Sequence, residues 1–220
     1  MRRVGLFCLS LLTVWMFGIV IASAASAVAL PEYTVAASAK STIGKILYVT
    51  EGGTKLECAK GTEEFSPSST SPKKSGTFTV DFQECKVGGE TCHSLGSIAG
   101  TILAGGEWRL VRGKSEEALI WYILSHELHV ECKFAATLLL IAGSALGVIT
   151  PLLVLTFNCG NALVIKEGKQ AVTEYENNSG EKVKVSATVS IDGGARQGIA
   201  VSAEEYKIHS EKETEIIDTK

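Results

Sequence analysis

Residues 134–157 form a run of 24 positions without a single charge, long enough to cross a bilayer as one helix. Gly143, Ser144, Gly147, Thr150 and Pro151 interrupt the run and divide it into 138–142, 146–149 and 152–157. Pieces of that length match buried strands joined by tight turns. The expected structure here is therefore sheet folded into a globule. A membrane-anchored chain spanning with residues 134–157 is the alternative, because Gly and Pro do occur in true spans.

The rest of the chain alternates with period two. In 76–82, Phe78, Val80 and Phe82 fall on one face and Thr77, Thr79 and Asp81 on the other, the pattern of a half-buried strand. Residues 182–191 alternate for ten positions, with Val183, Val185, Ala187, Val189 and Ile191 on one side. Further strands are expected at 45–49 and 54–58 around Gly52-Gly53, at 97–104 and 108–112 around a Gly105-Gly106 turn, and at 128–132. Residues 115–124 read either as a helix capped by Ser115 or as a strand, and the β-formers Leu119, Ile120, Trp121, Tyr122 and Ile123 favour the strand. The Ser- and Pro-rich stretch 66–76 is a surface loop. Many short strands between glycine turns predict an all-β chain, an antiparallel sandwich or barrel.

Arg2 and Arg3 precede an apolar run over 4–21, and Ala27-Val28-Ala29 follows a small-residue tract. This is the order of a cleaved signal helix, residues 1–29. The remainder, 30–220, is expected to be a single exported β domain of 191 residues, with 30–44 a disordered leader. Loss of Arg2 and Arg3 takes the formal charge from −3 to −5, which leaves no electrostatic drive toward nucleic acid. Five cysteines outlast processing: Cys58, Cys85, Cys92, Cys132 and Cys159. In an oxidising compartment they pair, and the odd number leaves one over. A Cys85–Cys92 bridge across the turn-prone 86–91 is the expected pair; the others stay unassigned.

No catalytic signature stands out. His126, Glu127, His129 and Glu131 form the densest group of potential metal ligands or acid–base residues, but the spacing is not H-E-x-x-H. On a strand, Glu127, His129 and Glu131 share one face, and a solvated surface is the plainer reading. Gly143-Ser144-Ala145-Leu146-Gly147 lacks the central serine of a nucleophile elbow. Asn177-Asn178-Ser179 is a formal glycosylation sequon that also reads as turn chemistry. Trp108, Trp121 and Tyr122 are candidate stacking surfaces for a ligand, or core filling. A ligand cavity is expected to be lined by Trp108, Trp121 and the 138–157 segment.

The segment from Gly143 to Pro151, G-S-A-L-G-V-I-T-P, resembles the G-S-x-x-G-x-[IV]-T-P segment of a family of exported, signal-peptide-bearing actinobacterial proteins of unknown function. Phe82-Gln83-Glu84-Cys85 followed by Thr91-Cys92-His93-Ser94, and Val130-Glu131-Cys132, are similar to that group as well. The resemblance implies an exported β-rich domain and supplies no catalytic residues. Taken together, these features point to a secreted or cell-envelope binding or structural protein that is not an enzyme and has no cofactor. Its partners would be an envelope glycan, a lipid or a protein. A metal-assisted hydrolase centred on His126, Glu127 and His129 is the competing expectation.

Overall fold

Alternating strands with apolar inner faces resolve, in the computed structural model, into an eight-stranded antiparallel barrel with outer strands. The structure describes residues 32–33, 39–69, 74–114, 118–133, 137–150, 160–162, 165–166, 169–203, 207–209 and 216–217. The expected signal segment, the Ser115 cap, the apolar piece 152–157 and Cys159 lie outside the described residues.

Strand β1 (Glu32–Tyr33) stands apart from the barrel. Eight staves follow, most of them two strands joined at a bend. The first is β2 (Ala39–Ile43) with β3 (Ile46–Thr50), and the second β4 (Lys55–Cys58) with β5 (Lys60–Pro67). The third is β6 (Ser75–Gln83) with β7 (Lys86–Val87), and the fourth β8 (Glu90–Ser94) with β9 (Ile102–Arg112). The fifth joins β10 (Ala118–Leu124) to β11 (Leu128–Cys132), and β12 (Leu138–Thr150) alone makes the sixth. An outer excursion carries β13 (Gly160–Ala162), β14 (Ile165–Lys166), β15 (Lys169–Gln170), β16 (Glu174–Glu176) and β17 (Lys182–Lys184). The seventh stave is β18 (Ala187–Ile191), and the eighth is β19 (Gln197–Ala203) with β20 (Lys207–His209). Strand β21 (Ile216–Ile217) pairs with β1.

Every stave pairs with its neighbours in sequence. Ladders β3–β4, β5–β6, β6–β9, β9–β10, β10–β12, β12–β18 and β18–β19 run in order round the wall. β19–β3 closes it, with Ile199 opposite Thr50 and Ala203 opposite Ile46. Closure removes the open edges that a sheet of this length would expose.

Two apolar layers result. The barrel interior holds Ile46, Phe65, Phe78, Val80, Phe82, Trp108, Leu128, Ile141 and Val189. A smaller cluster of Val111, Leu119, Leu146 and Val185 lies outside the wall, packed with Trp121 and Tyr175. Burial of this kind contributes about 25 cal/mol per Å² of apolar surface.

Several expectations need correction. Residues 39–43 are not a disordered leader: they form β2, paired residue for residue with 61–65. The pieces 138–142 and 146–149 are not separate strands but one, β12, and they form no membrane-spanning helix. Gly143 bends β12 at φ 107°, and a Cβ there would stand 2.4 Å from the Ser186 carbonyl oxygen. Only glycine satisfies both conditions. Among the described residues no helix is long and apolar enough to cross a membrane. Gly105-Gly106 is not a turn. It lies inside β9, where a Cβ on Gly106 would meet the Ile123 carbonyl oxygen of β10 at 1.9 Å. Finally, 182–191 divides into β17 and β18, because Val185 enters the outer cluster while Val189 stays in the barrel.

The cysteines correct the expected Cys85–Cys92 bridge. Cys58 is bonded to Cys85, and Cys92 to Cys132. The 86–91 hairpin does form, with Lys86 opposite Thr91 and Val87 opposite Glu90. However, the four cysteines make a row across β4, β7, β8 and β11. The Cys92 N–H donates to the Cys85 carbonyl at 2.9 Å. Side chains are farther apart across such a hydrogen-bonded position than across the next one. Each of the two therefore bridges to its outer neighbour, with Cα atoms 4.0 Å apart in both pairs.

Candidate functional site

The barrel is not filled throughout. A cavity of about 100 Å³ lies inside it, lined by residues from all eight staves. Its shape follows from an uneven distribution of side-chain size. Tyr48, Phe78, Phe82 and Tyr122 line it as large rings, whereas Gly143, Ala145, Ala187 and Ala203 contribute almost no volume. Small residues on three consecutive staves (six to eight) leave the space that branched residues would fill.

Among the described lining residues one carries a carboxyl group. Glu63, 3 % exposed, sits on β5 between the inward positions of Gly61 and Phe65. Its Oε2 accepts a hydrogen bond from the buried Ser41 hydroxyl at 3.4 Å. Neighbouring Glu64 points the other way and pairs with Lys40 Nζ at 2.6 Å on the exposed surface. Strand alternation alone separates the two carboxylates. Burial pushes the Tyr48 phenol well above its ordinary pKa, and the negative charge of Glu63 adds to the shift. The cavity thus combines an apolar, aromatic wall with a buried carboxylate, which needs partners to be tolerated there.

The rings of the lining pair edge to face. Tyr48 and Phe82 have centroids 6.1 Å apart at 81°, and Phe78 and Tyr122 5.1 Å apart at 84°. Phe65 and Trp108 extend the cluster toward one end of the barrel at 6.1 Å and 82°.

The two tryptophans do not share a cavity. Trp108 is opposite Tyr122, and Trp121 is opposite Arg109, in consecutive positions of the same ladder. Consecutive positions face opposite sides of a sheet, so Trp108 enters the core and Trp121 lies on the outer wall. The expected cavity lined by Trp108, Trp121 and 138–157 is thereby corrected: among the described residues, β12 lines the barrel cavity without either tryptophan. Trp121 instead packs on Tyr175 at 5.2 Å, with the Arg109 guanidinium 5.7 Å from its ring centroid. Both belong to an outer cleft of about 750 Å³ beside the 174–184 hairpin.

The histidine–carboxylate group lies on the surface. Glu127 contacts His129 Nε2 at 3.4 Å and forms an ion pair with Arg196. His129 and Glu131 are exposed positions of β11, while Leu128, Val130 and Cys132 point inward. His126 is exposed before the strand begins. Among the described residues, no three His, Cys, Asp or Glu side chains are grouped to hold a metal ion. The Asn177 side chain is occupied by its own turn: Oδ1 accepts the Ser179 and Glu181 N–H groups, each at 2.9 Å. That is the turn-chemistry reading of the sequon.

Glu63 was not legible as a site residue. The only signal is a carboxylate two positions before Phe65, in a stretch without a regular apolar alternation. No protein-family model, curated protein or solved structure matches this chain.

Proposed function

We propose that this is an exported, non-enzymatic binding protein that holds a small, mainly apolar ligand inside its barrel. The cavity lined from all eight staves carries the reading. Eight-stranded barrels have interiors wide enough for side chains alone or for one small ligand, and here small residues leave the second option open. An apolar void of about 150 Å³ is enough to take up benzene, so about 100 Å³ suits a group of a few heavy atoms.

Export is supported by the N-terminal signal pattern, by two disulfides that require an oxidising compartment, and by the resemblance to exported actinobacterial proteins. The polar outward positions of β5, such as Lys60, Thr62 and Glu64, fit a wall that faces water.

The test is titration of the purified protein with tert-butanol and isobutanol, followed by the methyl NMR signals of Ile141, Ala187 and Ala203. Saturable shifts confined to cavity residues are expected. Absence of saturation with either probe would refute the ligand-carrier reading.

A further inference from the structure

Independently of the barrel interior, we infer that the outer cleft beside Trp121 binds a neutral saccharide built of pyranose rings. The cleft lies outside the wall and measures about 750 Å³, a volume typical of small-molecule sites. Strand register builds it. Ser75, Arg109 and Trp121 stand in one row across β6, β9 and β10. Two residues along, Ser66, Thr77 and Glu107 form the next row across β5, β6 and β9. Positions two apart on a strand share a face, so both rows lie on the outer wall with Trp121. The β16–β17 hairpin borders them, with Tyr175 packed on Trp121.

A pyranose ring offers two kinds of surface: patches of C–H and a rim of hydroxyls that donate and accept hydrogen bonds. The cleft complements both. Trp121 and Tyr175 are half-buried on its lining and supply apolar area. Beside them stand the hydroxyls of Ser66, Ser75 and Thr77, each able to donate and to accept. Arg109 and Glu107 pair at 3.1 Å, which sets donors beside an acceptor and offsets their charges. Lys74, the other charged residue on the lining among the described residues, is engaged as well. A charged ligand would have to compete with the Arg109–Glu107 pair, and a purely apolar one would leave the polar rim unpaired. The far rim is preset. Asn177 is bonded within its own turn, which holds Asn178 and Ser179 exposed at the cleft. A rim already ordered loses little freedom on binding.

Titration of the purified protein with cellotetraose, maltotetraose and tetra-N-acetylchitotetraose tests the inference through the indole N–H signals of Trp121 and Trp108, with Trp121→Phe as the assignment. At least one of the three should shift the Trp121 signal saturably, with a Kd of about 1 mM or tighter. The Trp108 signal, from the opposite face of the same ladder, should stay in place. Glu107→Ala and Asn178→Ala, both at exposed positions of the cleft, should each weaken that Kd by about three-fold or more. Thr79→Ala, exposed on β6 but outside the cleft, should leave it within about 1.5-fold. No saturable shift with any of the three up to about 20 mM overturns the inference, and so does a Kd that neither cleft substitution moves. Binding of the acidic hyaluronan tetrasaccharide alone would overturn the neutral class. None of these outcomes bears on the barrel reading, whose probes report on Ile141, Ala187 and Ala203.

Discussion

Ser41 and Glu63 stand directly opposite each other on β2 and β5, and the Ser41 hydroxyl donates to the Glu63 carboxylate inside the barrel. Both side chains are buried. At 3.4 Å the bond is long for an O–H···O contact, so it matters chiefly because it helps satisfy a buried carboxyl group. Ser41→Ala should cost about 1–3 kcal/mol by leaving the carboxylate less satisfied. Adding Glu63→Leu to that variant should recover most of the loss, because an apolar pair of similar shape needs no partner. Urea denaturation of the two single variants and the double variant checks this, and strictly additive losses would contradict it.

Ala187 borders the cavity from the seventh stave. Ala187→Val should occupy part of the void, weaken tert-butanol binding by about ten-fold or more, and change stability by less than about 1.5 kcal/mol. Parallel titration and thermal unfolding measure the two effects. Unaltered binding in a folded variant would place the ligand elsewhere.

Gly143 offers a sharper structural test. Gly143→Ala places a Cβ against the Ser186 carbonyl at a positive φ. The expected loss is about 3 kcal/mol or more, since strain and overlap act together. A variant as stable as the parent would mean that β12 does not bend there.

The bridges predict a specific peptide map. Non-reducing digestion should yield Cys58 linked to Cys85 and Cys92 linked to Cys132, with no Cys85–Cys92 product. The linked residues are 27 and 40 positions apart. Chain-entropy arguments assign each bridge about 3–4 kcal/mol. Paired Cys→Ser variants should lose roughly that much against urea.

Tyr48 gives the barrel an alkaline limit. Its folded pKa lies above the ordinary value of 10.0, with burial the larger cause and Glu63 the smaller. Below pH 10 the phenol is protonated in both states, and its contribution to stability is complete. Above it the unfolded chain releases the proton more readily, so stability falls as pH rises toward the folded pKa. Tyr48→Phe should flatten that decline between pH 10 and about 11, the first unit above the ordinary tyrosine value. Glu63→Gln should only reduce it, because burial remains.

Much of the wall was legible in the chain. Phe78, Val80 and Phe82 alternate with polar residues, and all three point into the barrel. Leu128, Val130 and Cys132 do the same on β11. Strand β5 escaped notice because its inward positions are Gly61, Glu63 and Phe65. A carboxylate in an inward slot breaks the apolar pattern by which strands are recognised, and such conflicts concentrate at sites. The expectation that Trp108 and Trp121 line one cavity failed for a related reason, although Trp108 does fill the core. Composition identifies large rings, but one position of register decides whether a ring faces core or solvent.

The sequence by itself determined the class: period-two alternation and glycine punctuation admit strands and little else, since each strand must bury one face. It also determined that cysteines would pair if the chain meets an oxidant. Only the tertiary structure decided that the strands close into eight staves, that Cys85 and Cys92 turn away from each other, and that Glu63 rather than Glu64 enters the cavity. Those outcomes depend on register between segments far apart in the chain. Register is set by the simultaneous packing of every stave against its neighbours, and no local pattern contains it.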